Sequence, residues 1–497
     1  MVRANVKSLG LLLALVTLAS GATAASAAEI TEVLDAADTV ILEDAATGER
    51  VSVEDKFDIA LTPSFGQRYE NGKIKRESYE SGIQHTYNEM KYKRVVNEFD
   101  IDLEVGMYHD LAFRMNLPIV ISDTMSYAYD QDDKDYLVNS SNSWFSPASN
   151  RIDTQYKFFS LQDNGDFSSG TARSGLGDMS FGIAWSPINT ERRFDIEEPW
   201  LDNTGRSTMT LAFDYIAPTG TAKAINNSSV GHGVHELHFS VSGSHRFKYV
   251  EPYVGLLFAL PIASDPFIDY SKAYNDAINT QRRIGPGMWG RFDLGLEFIP
   301  YESLKTDYQR YVKIDLRGYF KYVAEGRDFS ELMDAFGMNS DIVNGVNAKD
   351  AAASGYGWVA SKWSNAGYDN WTKFATQGSN WGGKLYEDGI FDHEGYAVMG
   401  GSIGLIIQPI QYVTIKAGFA IDYEQNHYIT FTKVGRDNHT AATDTTPASK
   451  EPDGLVTEND IEERSPVFST VFDSAGSRIR KTETLNMEWF VGVKLAY

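Results

Sequence analysis

Asp100, Asp102 and Glu104 place three carboxylates at alternate positions, with Phe99, Ile101, Leu103, Val105 and Met107 interleaved. Side chains two residues apart on an extended chain project to one side, about 7 Å from one to the next, so this spacing lines up negative charge along one face of a strand. Other groups invite chemistry too. His232, His235 and His238 suggest a metal, but on a strand a spacing of three sends His235 and His238 to opposite faces, which favours a solvated rim cluster. Asp130-Gln131-Asp132-Asp133-Lys134-Asp135 has the carboxylate density of a calcium loop, yet it carries a lysine and lacks the expected glycine, so it reads as an acidic loop. His238 and Ser240 share a face, as a Ser/His pair would, but serines are common on wet strand faces. With no cysteine, the chain has no thiol chemistry, disulfide or thiolate metal site. No residue takes a catalytic role on this reading, and neither a metal nor a cofactor is expected.

The elements that must position these groups are strands. Leu485, Met487, Trp489, Val491, Val493, Leu495 and Tyr497 alternate with Asn486, Glu488, Phe490, Gly492, Lys494 and Ala496, giving one apolar face and one mostly polar or small face. Nothing follows this strand that would cover its apolar face, and lipid is the expected medium. A strand of about ten residues crosses a bilayer when tilted, apolar outward and polar toward the lumen. The segment resembles the terminal strand of outer-membrane barrels, with Trp489 and Tyr497 as its assembly signal. The alternative is an edge strand of a soluble sandwich.

Eleven further alternating segments fall near 57–69, 99–107, 111–121, 179–185, 209–215, 236–242, 254–260, 288–298, 312–322, 399–407 and 413–423. With the last they make twelve, an all-β, antiparallel, up-and-down transmembrane barrel. If both termini are periplasmic, the long connections 70–94, 123–175, 219–233, 262–286, 323–393 and 426–482 all fall on the extracellular side, which is the arrangement of single-chain bacterial barrels. Alternation then lines the lumen with Asp100, Asp102, Glu104, Arg114, Asn116, Asp293, Glu297, Lys313, Asp315, Arg317, Lys416 and Glu488. Those charges either pair into a network that plugs the barrel or flank water and set selectivity. Within 323–393, Asp328 to Phe336 is expected to form a short helix, because Phe329, Leu332, Met333 and Phe336 fall at helical spacing behind an Asp328-x-x-Glu331 cap, with Gly337 as the stop. Trp358, Trp363, Trp371 and Trp381 in the same loop either contact a ligand by stacking or pack the loop into a folded cap.

Arg3 and Lys7, the apolar run Leu9 to Ala19 and Ala25-Ser26-Ala27 mark residues 1–27 as a secretory signal peptide. Residues 28–56 form a periplasmic arm, either folding back as a plug or disordered, and 57–497 form the barrel. Loss of Arg3 and Lys7 takes the net charge from −23 to −25, which argues against nucleic acid or anionic lipid headgroups as partners. The mean hydropathy is −0.32, yet aromatics make up 13% of the chain, a combination a barrel tolerates because only alternate strand residues meet lipid. The expected partners are outer-membrane lipid, the barrel-assembly machinery and a small-molecule solute.

Ser174-Gly175-Leu176-Gly177-Asp178 before a strand, Ala217-Pro218-Thr219-Gly220 at a strand end, and Tyr108-His109-Asp110-Leu111 with Leu117-Pro118 together resemble the outer-membrane transporter family associated with phenol meta-cleavage. The likeness covers about residues 95–262 and the C-terminal strand, and its motifs mainly meet backbone needs. The resemblance implies passage of small, often hydrophobic or aromatic compounds. A second class of function is a closed structural or surface-interaction barrel whose long loops bind an external partner.

Overall fold

The computed structural model describes residues 31, 39–43, 50–54, 59–80, 83–108, 110–130, 168–189, 205, 207–223, 228–262, 284–303, 310–332, 390–410, 412–430 and 478–496. Residues 1–27, the acidic stretch 131–135, Trp358, Trp363, Trp371, Trp381 and Tyr497 lie outside them. In chain order the strands are β1 (Thr39–Glu43), β2 (Arg50–Glu54), β3 (Ile59–Glu80), β4 (Ile83–Tyr108), β5 (Leu111–Tyr129), β6 (Ser168–Leu176), β7 (Ser180–Asn189), β8 (Ser207–Ile216) and β9 (His235–His245). There follow β10 (Val250–Ile262), β11 (Trp289–Ser303), β12 (Arg310–Val323), β13 (Gly326–Phe329), β14 (Ile390–His393), β15 (Tyr396–Ile410), β16 (Val413–Glu424), β17 (His427–Thr430) and β18 (Ile479–Ala496).

Among the described residues, twelve antiparallel strands close into a barrel in the order β3, β4, β5, β7, β8, β9, β10, β11, β12, β15, β16 and β18, with β18 returning to pair with β3. Trp489 lies opposite Gln67 and Leu495 opposite Leu61 at this seam. Each of the twelve expected segments overlaps one of these strands. Alternation sorts their side chains: Leu294 is 59% exposed on the outside, whereas its neighbour Asp293 is 3% exposed on the inside. Exposed Leu256, Phe258, Phe292, Leu316, Phe320, Ile403 and Phe419 continue the apolar exterior around the wall. In water such a belt would be a large unfavourable surface, and covering each of these half-exposed side chains with lipid stabilises the barrel by roughly 1 kcal/mol, about half the value for full burial.

Toward the 80–83 turn the polarity of the wall inverts, and this corrects the expected loop at 70–94. Those residues continue β3 and β4 as one long hairpin. Ile74, Met90 and Tyr92 point inward and are buried, while Lys73, Lys75, Lys91 and Lys93 point outward. Beyond the lipid belt the outer face meets water and the inner face packs, so period two persists with its chemical sense reversed. Charge in this stretch marks a wet outer face and not a loop.

Two bulges set the facing. Asn97 pairs with Ser122 and Glu98 with Val120, leaving Ile121 as the extra residue. Ile121 therefore faces out and Asp123 faces in, although both are odd-numbered on one strand. In β18 the register slips between Thr482 and Leu485, and Glu483 takes a left-handed backbone with φ of 54°.

Other long connections also shrink at their roots. β6 pairs with β5 inside the expected 123–175 loop, and β13, β14 and β17 extend the sheet from β18 inside the expected 323–393 and 426–482 loops. The helix expected from Asp328 is displaced by β13: Gly326–Phe329 pairs with β14, and Arg327 bridges Gly285 on its other edge. Pairing on both edges outweighs the local helical pattern; residues 333–336 of that helix lie outside the described residues. From the N-terminal arm, β1 and β2 form a separate hairpin, and Thr31 reaches the inner wall, its carbonyl accepting from Thr210 Oγ1 at 2.6 Å and its Oγ1 lying 3.3 Å from Ser244 Oγ.

Candidate functional site: the barrel interior and its strap

The interior is lined by the inward positions of every barrel strand. Asp102 accepts a hydrogen bond from Asn116 Nδ2 at 2.7 Å and faces Lys416. Glu104 lies 3.4 Å from Arg114 and 3.9 Å from Lys494. Asp100 is buried among Glu98, Asp102 and Glu488. Across the lumen, Lys313 meets Glu297 at 3.1 Å, while Asp293 lies 2.8 Å from Arg291 and 3.7 Å from Arg317. Tyr253 Oη donates to Asp315 at 2.9 Å and accepts from Arg317 Nε at 3.3 Å. Of the expected lumen residues, Asp102, Glu104, Arg114, Asn116 and Lys416 gather in one group, and Asp293, Glu297, Lys313, Asp315 and Arg317 in another. Trp489 lies on the outer side of the seam, its ring 5.6 Å from that of Phe65 and its Nε1 donating to Gln67 at 3.2 Å.

Aromatic side chains narrow the lumen where the adjoining strand carries glycine. Tyr253 lies over Gly295, and Phe490 over Gly418, so a Cβ at either glycine would overlap the ring. The histidines divide as strand geometry requires: Tyr215 and His235 share a 2.6 Å hydrogen bond, with their rings stacked, while His238 faces inward, its ring 5.2 Å from Trp289.

A strap, Gly326 to Leu332, crosses the mouth. Asp328 Oδ1 lies 2.8 Å from His232 Nε2, Arg173 stacks 4.9 Å over the Phe329 ring, and Tyr127 Oη donates to the Glu331 carbonyl at 2.9 Å. The Glu331 carboxylate meets both Arg94 and Lys223 at 2.9 Å. Arg94 also meets Asp123 at 2.7 Å, tying the strap to β4, β5 and the β8–β9 connection. Phe329, Ser330 and Leu332 are buried. Alongside the strap lies a cavity of ≈ 520 Å³ whose lining includes Arg68, Trp289, Tyr319, Lys321 and Glu488. Lys321 Nζ sits 4.1 Å over the Trp289 ring, and the Arg291 guanidinium 4.2 Å over Tyr319. Many of the mouth residues were hidden in stretches that read as loops. For Arg94 and Tyr92 a signal was present, an alternation with charges outside and Ile74, Met90 and Tyr92 inside; for Lys223 and Glu331 no local pattern distinguishes them.

The strap's tie to His232 is pH-sensitive. Burial opposes the charged imidazole, but Asp328 outweighs it and keeps His232 protonated above its usual range. Burial alone would raise Asp328; His232 holds it below the usual carboxylate value. The raised histidine contributes fully below its unfolded value of about 6.5 and loses that contribution as pH rises through the folded value, whereas the lowered aspartate loses its contribution only below about 3.9. Glu236 reinforces the charged histidine and Lys223 opposes it. His393, held below the usual histidine range chiefly by burial, has the opposite sign and weakens the strap only in acid. Hydrogen exchange at Phe329–Leu332, corrected for intrinsic rates, is therefore expected to accelerate as pH rises above about 6.5, and His232→Gln to flatten that rise. Equal slopes in the two proteins would remove His232 as the sensor.

No protein-family model matches this sequence, and no curated protein matches it. Among solved structures, the chain is similar to an outer-membrane channel from Pseudomonas putida F1, with a TM-score of 0.35 and 8% identity over 88% of this chain and 95% of that one. It is similar to the β domain of the Bordetella autotransporter BrkA, with a TM-score of 0.30 and 9% identity over 88% of this chain and 99% of that one. A FadL homologue from Pseudomonas aeruginosa gives a TM-score of 0.27 and 8% identity over 89% of this chain and 90% of that one. Similarity at these scores carries no argument about function, and the barrel rests on its own strand pairing.

Proposed function

We propose that this chain is an outer-membrane channel or transporter of a Gram-negative bacterium that passes small solutes by diffusion through its barrel, with the strap at the mouth as its gate. The observation that carries the reading is the pairing of an apolar exterior with a charged interior inside one closed wall. A soluble barrel has no use for the first, and charged groups flanking water are what a conducting lumen requires. The resemblance to the family associated with phenol meta-cleavage supports hydrophobic or aromatic solutes, and the Trp289 and Tyr319 rings beside the cavity offer faces on which such solutes stack. We assign the chain no catalytic role. Its route to the membrane is export by the signal peptide and insertion by the barrel-assembly machinery through the terminal strand. The second reading, a closed barrel working through its loops, is favoured by the strap's several ties.

Single-channel recording in planar bilayers tests the choice. Conductance steps are expected, and the acidic excess among the twelve lumen positions, seven acids against four bases, should give a cation preference that is clear in dilute salt and fades in concentrated salt. Neutralising Asp100, Asp102 and Glu104 together should lower the preference. A silent bilayer, both for the native protein and after the strap is loosened by Glu331→Ala, would favour the closed barrel.

A further inference from the structure

We infer that the outward face of β18, β3 and β4, where the wall leaves the apolar belt, is a binding surface for phosphate-bearing headgroups of the outer leaflet. Lys73 and Lys75 lie on β3, Lys91 and Lys93 on β4, and Arg480 on β18, all directed away from the lumen. Their register is unusual: Lys73 stands directly opposite Lys91, and Arg480 directly opposite Lys75. Like charges facing each other across a ladder destabilise a sheet, so two adjacent pairs imply a counter-charge. Among the described residues the wall supplies two carboxylates. Asp130 meets Lys91 at 2.7 Å and Lys73 at 3.4 Å, and Glu483, on its left-handed bulge, meets Lys73 at 3.2 Å and also Lys75. Among the described residues, neither Lys93 nor Arg480 has a carboxylate partner; Lys93 lies 5.8 Å over the Tyr69 ring, and Arg480 lies 4.6 Å over Tyr428.

Among the described residues these five cations meet two carboxylates, a local excess of positive charge on a chain of net charge −23. Its height on the wall names the partner. On the same outer faces, moving toward the belt, come Tyr69 and Val95, then Phe65 and Phe99, and on β18 Leu485. Tyrosine with lysine just beyond the apolar band is the composition of a membrane–water boundary, where lysines meet headgroup phosphates. A free anion would be met equally well by any exposed lysine, such as Lys248 at the far end of the barrel. The inference rests on the proposed function and on both termini being periplasmic, which puts the 80–83 turn outside the cell.

The test uses the full chain reconstituted in phosphatidylcholine nanodiscs, doped with a bisphosphorylated acyl-disaccharide lipid or with its dephosphorylated form, and counts bound lipids by native mass spectrometry. Retention of the phosphorylated lipid is expected. Lys93→Gln with Arg480→Gln, which strands no described carboxylate, should weaken retention about 25-fold, taking roughly fivefold for each cation at a membrane surface. Lys248→Gln should leave it unchanged. Conductance of the double variant should match the native protein, since both positions face away from the lumen, so failure here is separable from failure of the channel reading. Equal retention of the phosphorylated and dephosphorylated lipids, or an unaltered double variant, would overturn the inference. Complete displacement by millimolar inorganic phosphate would overturn it as well, by identifying a site for soluble anions. Because the chain has no cysteine, a membrane-impermeant maleimide on whole cells checks the orientation independently: Thr86→Cys should label and Lys248→Cys should not. The reverse pattern would place the patch at the wrong leaflet.

Discussion

Replacing Leu316 with arginine is expected to destabilise the folded barrel by about 2–4 kcal/mol, the cost of a cation on the lipid face near the bilayer midplane. Leu316 is 49% exposed on the exterior, opposite Leu296 on β11 and Ile403 on β15, so the arginine would enter the middle of the apolar belt. The same substitution at Asp102 meets a different medium. That side chain already faces the interior, beside Asn116, and the change alters lumen charge with a smaller effect on stability. Unfolding by urea in phosphatidylcholine vesicles separates the two. Equal losses at Leu316 and Asp102 would mean that both faces are buried in protein and that the chain is not a membrane barrel.

Glu331→Ala should release the strap. The carboxylate is shared between Arg94 and Lys223, and together they hold it well below the usual carboxylate range against the opposing effect of burial. Removing it leaves Arg94 and Lys223 with Asp123, at 2.7 and 4.0 Å, as the anion they still share, and cuts the strap loose from both. Hydrogen bonds to charged groups contribute about 1.5–3 kcal/mol each, which corresponds to a roughly ten- to hundredfold shift from closed toward open. The expected record is a higher open probability or larger conductance, accompanied by faster exchange at Phe329. Glu331→Gln, which keeps an acceptor and removes the charge, should fall between the two. Unchanged conductance with freely exchanging strap amides would show that the strap does not obstruct the path.

How much of this is legible without the structure follows from what each segment is solvated by. The spanning strands announce themselves because lipid outside and water inside impose one sense of alternation, as in Leu294 beside Asp293. Their extensions obey the same period with the opposite sense, so a search for apolar-outward alternation passes over Ile74, Met90 and Tyr92 and reads Lys73 and Lys91 as loop. The lumen positions on the spanning strands come directly from the period. The Ile121 bulge breaks that parity, and Asp123 is inward for a reason no local rule contains. The strap lies furthest from inspection: Asp328 to Phe336 carries a good helical pattern, and only Gly285 and the β14 edge, distant in sequence, decide that it pairs as strand. Arg94 on β4, Lys223 in the β8–β9 connection and Glu331 in the strap meet from three parts of the chain distant in sequence, which is tertiary information.

The seam between β3 and β18 joins the beginning of the wall to its end, with Gln67 and Trp489 as partners. A ring closed in this way cannot be completed piecemeal. Contacts of such sequence separation are slow to form, and until they do the growing sheet carries two unsatisfied edges, each a template for pairing with another chain. The β3–β4 hairpin, whose strands adjoin, can assemble early and locally; the seam forms last. A chain truncated before β18 would therefore not be a slightly weaker barrel. It would be an open sheet with an apolar face and free edges, prone to aggregate and dependent on an escort until the last strand arrives.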